Sequence, residues 1–357
     1  MLVRRTQPQL PILQLPDENG RDAPQGAQTG GPSRGVPVSA APASAAAAPV
    51  AGRGRGTRSG PSRLLQISAW ASFVLNVTII ATGGTVRLTG SGLGCTDWPV
   101  CTPGSLVPTP ELGIHGIIEF ANRTISGPLL VAGILVLVLS WRIRARRSDL
   151  LVISAVVLGL VVLQALVGAF VVWFHLNANL VGFHYTVSLV LVCVTAAYLV
   201  RMFEDPLPRR VDVPRGFAIL THVTTLFMAL TVLFGVLTTG AGPHSGDADV
   251  VRDGFDATVL SHVHAWPGYI SLALVLALVG WSGVRRLRTL RWSIALLAAL
   301  LVQIGVGVFQ ARSGLPPFAV GVHMVLASLT AAAMTVVVLR LKRPAAAAAA
   351  APAGATR

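Results

Sequence analysis

Charge is scarce in this chain. Of 357 residues only 12% are charged, and 14 Asp or Glu face 28 Lys or Arg. A soluble globular domain of this length carries more polar surface than that, so a soluble enzyme or binding module is excluded. Cysteine is also rare: Cys95, Cys101 and Cys193 are the three, and none stands in a CxxC pair. There is no HxxxH pair either, which leaves a structural zinc site without its third and fourth ligands. No signal-peptide pattern opens the sequence. The first long apolar run begins only after residue 63 and reads as a span, not a cleaved leader.

What the sequence does have is long apolar runs. Hydrophobic residues make up 53% of it, and a bilayer core needs about 20 such residues per helix. Runs of that length lie near 65–86, 114–140, 149–173, 179–201, 215–239, 259–281, 290–311 and 318–341. They predict an all-α membrane protein of eight transmembrane helices. The net charge of +14 invites a nucleic-acid reading, but the cations sit in alternate loops. Arg142, Arg144, Arg146 and Arg147 follow the second run, Arg201, Arg209, Arg210 and Arg215 the fourth, and Arg285, Arg286, Arg288 and Arg291 the sixth. Arg340, Lys342 and Arg343 follow the last. The opposite loops hold Arg87, Arg252 and Arg312 among Asp97, Glu111, Asp247, Asp249, Asp253 and Asp256. This asymmetry predicts a plasma-membrane protein with both termini cytoplasmic, with lipid and not nucleic acid around it. Residues 1–62, rich in Pro, Gly, Ala and Arg, predict a disordered cytoplasmic tail. So do residues 342–357.

The chain repeats itself. Gln164 matches Gln303, Gly168 matches Gly307, Phe170 matches Phe309, and Gly182 matches Gly321. His184 matches His323, and each His follows its Gln by the same interval. Thr89, Gly90 and Gly92 after the first span return as Thr239, Gly240 and Gly242 after the fifth. The repeat unit is therefore four helices, and it predicts two pseudo-symmetric four-helix bundles over 63–201 and 202–341.

Three features carry chemistry. Cys95 and Cys101 share a loop on the oxidising side, with a spacing that permits a disulfide and disfavours a redox thiol pair. Cys193, inside the fourth span, reads as a small buried apolar residue. Glu119 and Arg123 stand one turn apart near the outer end of the second span. An intramembrane carboxylate is a functional candidate, and a local pair that neutralises both charges is the plainer reading; the two are compatible. His115 and His175 read as interface residues, and His222 as a packing or hydrogen-bonding residue of the fifth span. Finally, His184, His264 and His323 fall at one depth, at the outer ends of even-numbered spans. His262 and His264 point roughly opposite ways on a helix, and His264 is the better ligand by register. Two such His on facing helices with small residues nearby suit axial ligation of a haem iron. Each alone is a core hydrogen-bonding residue as readily.

These residues bring a family into view. The stretch GGTVRLTGSGLGCTDWPVC, EFANRT in the second span, GFH in the fourth, TGAGPHSGD, and His264 with His323 together resemble the haem A synthases of bacterial membranes and their mitochondrial relatives. The resemblance covers residues 65–341. The long tail and the loop cysteines are similar to actinobacterial members.

The resemblance implies an enzyme that oxidises the C8 methyl of haem O to a formyl, by two hydroxylations through haem I, in biogenesis of aa3-type terminal oxidases. It implies that the second half holds a permanent haem b through His264 and His323. It implies that the first half takes haem O as substrate through His184, with Glu119 beside the methyl and Arg123 in support. Members of the family with a His three residues after the glutamate have a second axial candidate there. This chain has Asn122, which leaves His115 or water as alternatives. Haem O synthase and oxidase assembly factors are the implied partners, and small-residue helix faces permit a homo-oligomer. A non-catalytic dihaem cytochrome and a haem carrier are the competing classes.

Overall fold

A computed structural model describes residues 60–344 except 207, 245, 248–249 and 251–253. Nearly all of the expected tail over 1–62, together with Asp249, Arg252, Asp253 and residues 345–357, therefore lies outside the described residues. Among those described, eight helices are long and apolar enough to cross a membrane. They are α1 (Arg63–Leu88), α2 (Gly113–Arg142), α3 (Ser148–Trp173), α4 (Ala178–Met202), α5 (Arg215–Ala241), α6 (Ala257–Val284), α7 (Leu290–Arg312) and α8 (Pro317–Leu339). The protein is an all-α, multi-pass membrane protein.

Local chemistry sets the helix starts. The Ser62 hydroxyl accepts from the Leu65 amide at α1, and the Asn177 side chain accepts from Asn179 and Leu180 at α4. Asp256 caps α6 in the same way. The backbone N–H groups of Val259 and Thr258 hold its carboxyl below the usual carboxylate range. Pro317 occupies the first turn of α8, where no backbone donor is needed.

The packing is inverted relative to a water-soluble bundle. Large apolar side chains such as Trp70, Val152, Leu226 and Phe318 face outward. Ser72, Asn76, Ser154, Thr221, Ser271, Ser293 and Ser328 are buried. Lipid accepts the apolar outer surface, while small polar residues let helix backbones approach inside. Several buried hydroxyls are satisfied within the helix, as when Thr221 donates to Phe217 O at 2.9 Å, or across helices, as where the Ser140 and Tyr198 hydroxyls meet at 2.7 Å, whereas those of Ser271 and Ser293 find no partner.

Within the first half α1 packs on α2 and α4, α2 on α3, and α3 on α4. Within the second, α5 packs on α6 and α8, α6 on α7, and α7 on α8. The halves meet through α1 with α8, α4 with α5, and α4 with α8. This set of packed pairs maps onto itself when each helix number is advanced by four. Repeat-matched glycines make the close approaches. A Cβ on Gly182 of α4 would lie 2.7 Å from Val236 of α5, and one on Gly321 of α8 would lie 3.2 Å from Leu88 of α1. Ile80, Leu189, Val192, Ala196 and Ala332 form a buried cluster along the contact of α1, α4 and α8.

The arginine-rich loops all lie at one end of the bundle, and they are tied together. Glu204, just after α4, accepts from Arg201 at 3.2 Å, from Arg209 at 3.2 Å and from Arg340 at 2.7 Å. Strand β1 (Arg209–Val211) pairs antiparallel with β2 (Lys342–Pro344), and Arg343 bridges to Asp212 at 3.2 Å. Residues 342–344, expected to begin the closing tail, are thus part of the fold. Two short arginine-bearing segments close a ladder because Asp212 and Glu204 supply their counter-charge. Replacing Glu204 by Gln strips three guanidinium groups of their carboxylate. We expect a loss of about 1–3 kcal/mol in stability, read as a lower thermal midpoint in detergent.

Candidate functional site

Glu119, His184, His264 and His323 each lie about two turns from the start of an even-numbered helix. All therefore sit at one level, at the end opposite the arginine loops. What surrounds them differs between halves.

In the second half His264 and His323 face each other. Their ring centroids are 6.2 Å apart and their planes cross at 81°. Thr231 O, on α5, accepts from His264 Nδ1 at 2.8 Å. That bond fixes the tautomer and leaves Nε2 as the free lone pair. The Gln303 amide donates to His323 Nε2 at 3.2 Å, while His323 Nδ1 and Gln303 Oε1 are buried without a partner. Small residues make room for both rings. A Cβ on Gly235 would lie 2.9 Å from His264 Cε1, and one on Gly307 would lie 2.9 Å from His323 Cε1. Both rings line one cavity, together with Arg87, Tyr185, Thr231 and Gln310. A first-row metal holds an imidazole nitrogen at about 2 Å, so two rings on one metal have centres about 6 Å apart. The observed pair fits that arrangement. Among the described residues no group of three or more His, Cys, Asp or Glu is placed to hold a metal ion. The donor set is thus two imidazoles on a mainly apolar cavity, which suits a metal carried by an organic macrocycle.

The first half repeats part of this. His184 lies against Gly168, where a Cβ would be 3.6 Å from Cε1. Gln164 donates to His184 O at 2.8 Å and also to Ser188 Oγ. His184 Nδ1 and Gln164 Oε1 are buried without partners, so the Gln-Gly-His set carries the same unmet polar capacity in both halves. Asn122 faces α1, where Thr82 donates to its Oδ1 at 2.7 Å. His264 likewise faces the first helix of its own half, α5, through Thr231 O.

The carboxylate is tightly held. Glu119 is 4% exposed. Its Oε2 accepts from the Cys95 amide at 2.7 Å, and its Oε1 accepts from Arg123 Nε at 3.1 Å and from Arg123 Nη2. Arg123 donates further to Asp97 O at 2.7 Å and Val100 O at 3.1 Å. These acceptors belong to the loop closed by the Cys95–Cys101 disulfide. The loop seats on the start of α2 at Gly94, where a Cβ would be 2.3 Å from His115 O. The cysteine pair, the Glu-Arg pair and the helix start are one unit.

The other histidines are elsewhere. His115 is exposed and bonded to Ser91 Oγ at 2.9 Å. His175 is exposed in the α3–α4 turn, and His262 is exposed with its ring on Thr258 O at 2.8 Å. His222, expected to pack or hydrogen-bond, is exposed on the outer face of α5. Arg87, which reads from sequence as a loop cation, instead lies in α1 and lines the cavity of the second half. Thr231 and Gln310 also line it. No spacing rule singles them out, because a Thr or Gln within an apolar span reads as packing.

The loop chemistry has a direct check. Unfolded, unreduced protein is expected to take up alkylating reagent at Cys193 alone. After reduction all three cysteines should label, as counted by mass. Labelling at three sites without reductant would rule out the Cys95–Cys101 bond.

The chain is similar in sequence to known proteins. A family model for cytochrome oxidase assembly proteins, COX15-CtaA, matches residues 66–245. The haem A synthase of Alkalihalophilus pseudofirmus is 26% identical over 288 residues, covering 74% of this chain and 93% of its own. That of Halalkalibacterium halodurans is 24% identical over 299 residues, covering 79% and 98%. That of Geobacillus kaustophilus is 33% identical over 149 residues, covering 40% and 44%. The family match spans half of the chain and takes in the cysteine loop, Glu119, Arg123 and His184, and with it the chain belongs to the COX15-CtaA family of cytochrome oxidase assembly proteins.

Proposed function

We infer that this protein is a haem A synthase, a membrane oxidoreductase that converts haem O to haem A. The observation that carries the reading is the facing pair His264 and His323 on one mainly apolar cavity. In this reading the second half holds haem b. His264 Nε2 is available for the iron because Thr231 O keeps the proton on Nδ1. Haem b, when bound, supplies one-electron exchange with an acceptor.

The first half takes haem O at His184. Its second position is Asn122, whose carbonyl oxygen is already engaged by Thr82. One firm protein ligand instead of two suits a substrate that must enter and leave. Glu119 stands at the same level. The Cys95 amide and Arg123 fix its orientation: Oε1 takes both Arg123 bonds, while Oε2, with the Cys95 amide, keeps a lone pair for a further proton. As the C8 methyl carbon loses electrons, this carboxylate accepts a proton or offsets the developing positive charge. Arg123 supplies Glu119 with a counter-charge and ties it to the disulfide loop.

The arginine loops support an orientation with both termini in the cytoplasm of a plasma membrane. The site level then lies towards the outer face. Haem O synthase is the supplying partner and an aa3-type oxidase assembly the consuming one.

Three sets of variants test the assignment. After co-expression with a haem O synthase in a host lacking haem A, the unmodified chain should yield haem A or haem I by chromatography and mass. Unaltered haem O beside bound haem b would favour a cytochrome or carrier instead. Glu119→Gln should abolish haem A while keeping haem b; intact haem A would remove Glu119 from the chemistry. His264→Ala and His323→Ala should each lose haem b, and His262→Ala should retain it. Gly307→Ala should weaken haem b retention about tenfold, because overpacking against the His323 ring costs about 1–3 kcal/mol. Gly305→Ala is its control, since a Cβ there meets nothing within 4 Å.

A further inference from the structure

Most half-buried arginines of this fold stand beside a carboxylate. Arg123 has Glu119, Arg147 has Asp149, Arg201, Arg209 and Arg340 share Glu204, and Arg343 has Asp212. Arg87 differs. It lies in the last turn of α1, where its Nε donates to His244 O at 2.6 Å and its Nη2 to Thr239 O at 2.5 Å. No carboxylate among the described residues pairs with it. A guanidinium has five N–H groups, and this one lines the cavity that contains His264 and His323. A cation kept at membrane depth without a counter-charge is costly. The cavity is where a counter-charge can come from.

Its position is informative. Thr239, which holds Arg87, lies one turn beyond Gly235, which abuts the His264 ring. That is about 6 Å along α5, the reach of a carboxyethyl group on the rim of a macrocycle ligated at the two His. Gln310, whose Oε1 is buried and unpartnered, lines the same cavity. The repeat sharpens the point. Aligned on Thr89 and Thr239, Arg87 corresponds to Leu237. The second half has no cation of its own at this place and takes one from α1 of the first.

We propose that Arg87 anchors a ligand carboxylate, a propionate of the tetrapyrrole held by His264 and His323, so that the cavity of the second half is completed by the first. This rests on the reading of that cavity as a haem site. The plainer role, a staple holding the loop at His244 to α1, predicts no dependence on the ligand's acid groups.

The test uses full-length protein freed of haem and reconstituted with iron protoporphyrin IX or with its dimethyl ester, which lacks the charge. The unmodified chain should hold the free acid about tenfold or more tightly, as befits a charge-assisted hydrogen bond. Arg87→Gln should lose that preference and bind both forms alike, with the midpoint potential of the bound haem lowered. Arg87→Lys should keep part of it. A preference unchanged in Arg87→Gln overturns the proposal. Equal binding of acid and ester by the unmodified chain overturns it without any variant. If the unmodified chain binds neither form, the haem reading of the cavity fails, and this inference fails with it.

Discussion

Helices α4 and α8 lie against each other at the centre of the molecule, and the chemistry depends on how successive residues leave that contact. Neighbouring residues on a helix point about 100° apart. His184 therefore turns towards Gln164 and Gly168 of its own half, while Tyr185 turns to the other half and donates to Met324 O at 3.0 Å. On α8, His323 turns towards Gln303 and His264, while the Met324 thioether lies against Gly84 of α1. Each central helix presents an imidazole to its own bundle and the next side chain to the other. The two candidate haem positions are thus back to back across one pair of helices. A shift of either helix by one residue would move both.

Low dielectric makes the polar groups legible as a system. Glu119 and Arg123 neutralise one another and spend their remaining capacity on the backbone of the cysteine loop. A carboxylate so placed has its counter-charge and its orientation set before any ligand arrives. The opposite case is Arg87, balanced only by carbonyl dipoles. One half carries a self-sufficient acid-base pair. The other carries a cation with no carboxylate partner among the described residues. That difference separates groups suited to chemistry on a passing substrate from groups suited to keeping a resident one.

The spans were legible in the sequence because each apolar run is long enough to cross a bilayer and loop charges punctuate every gap. The interval from Gln to His was legible because each Gln bonds its own His, at the backbone of His184 and at the ring of His323. Arg87 was not. Its motif, GGTVRLTGSG, ends a helix, and a cation there reads as a loop charge until the fold turns it inward against α5. Glu204 was also missed, since one acid among many arginines gives no periodic signal, and its three partners come from distant parts of the chain. His222 misled for the reverse reason. A His inside an apolar span looks buried, but α5 turns that face outward.

Duplication explains why the two halves can diverge so far without losing the fold. The helix pairs that pack in one half pack in the other, and the matched glycines Gly182 and Gly321 close equivalent seams. The loops and the second helix of each half are under no such constraint. There the first copy has the disulfide loop, Glu119, Asn122 and Arg123, whereas the second has His264 and an open cavity. Replacing a second imidazole by Asn122 removes one metal ligand and leaves Glu119 one turn away in its place. In the proposed reading that exchange trades retention for turnover. A bundle with two imidazoles keeps its haem, and a bundle with one imidazole and a carboxylate can modify and release it. The cost of building both from one repeat is that the second copy depends on the first for Arg87, so the halves cannot be separated without dismantling the site.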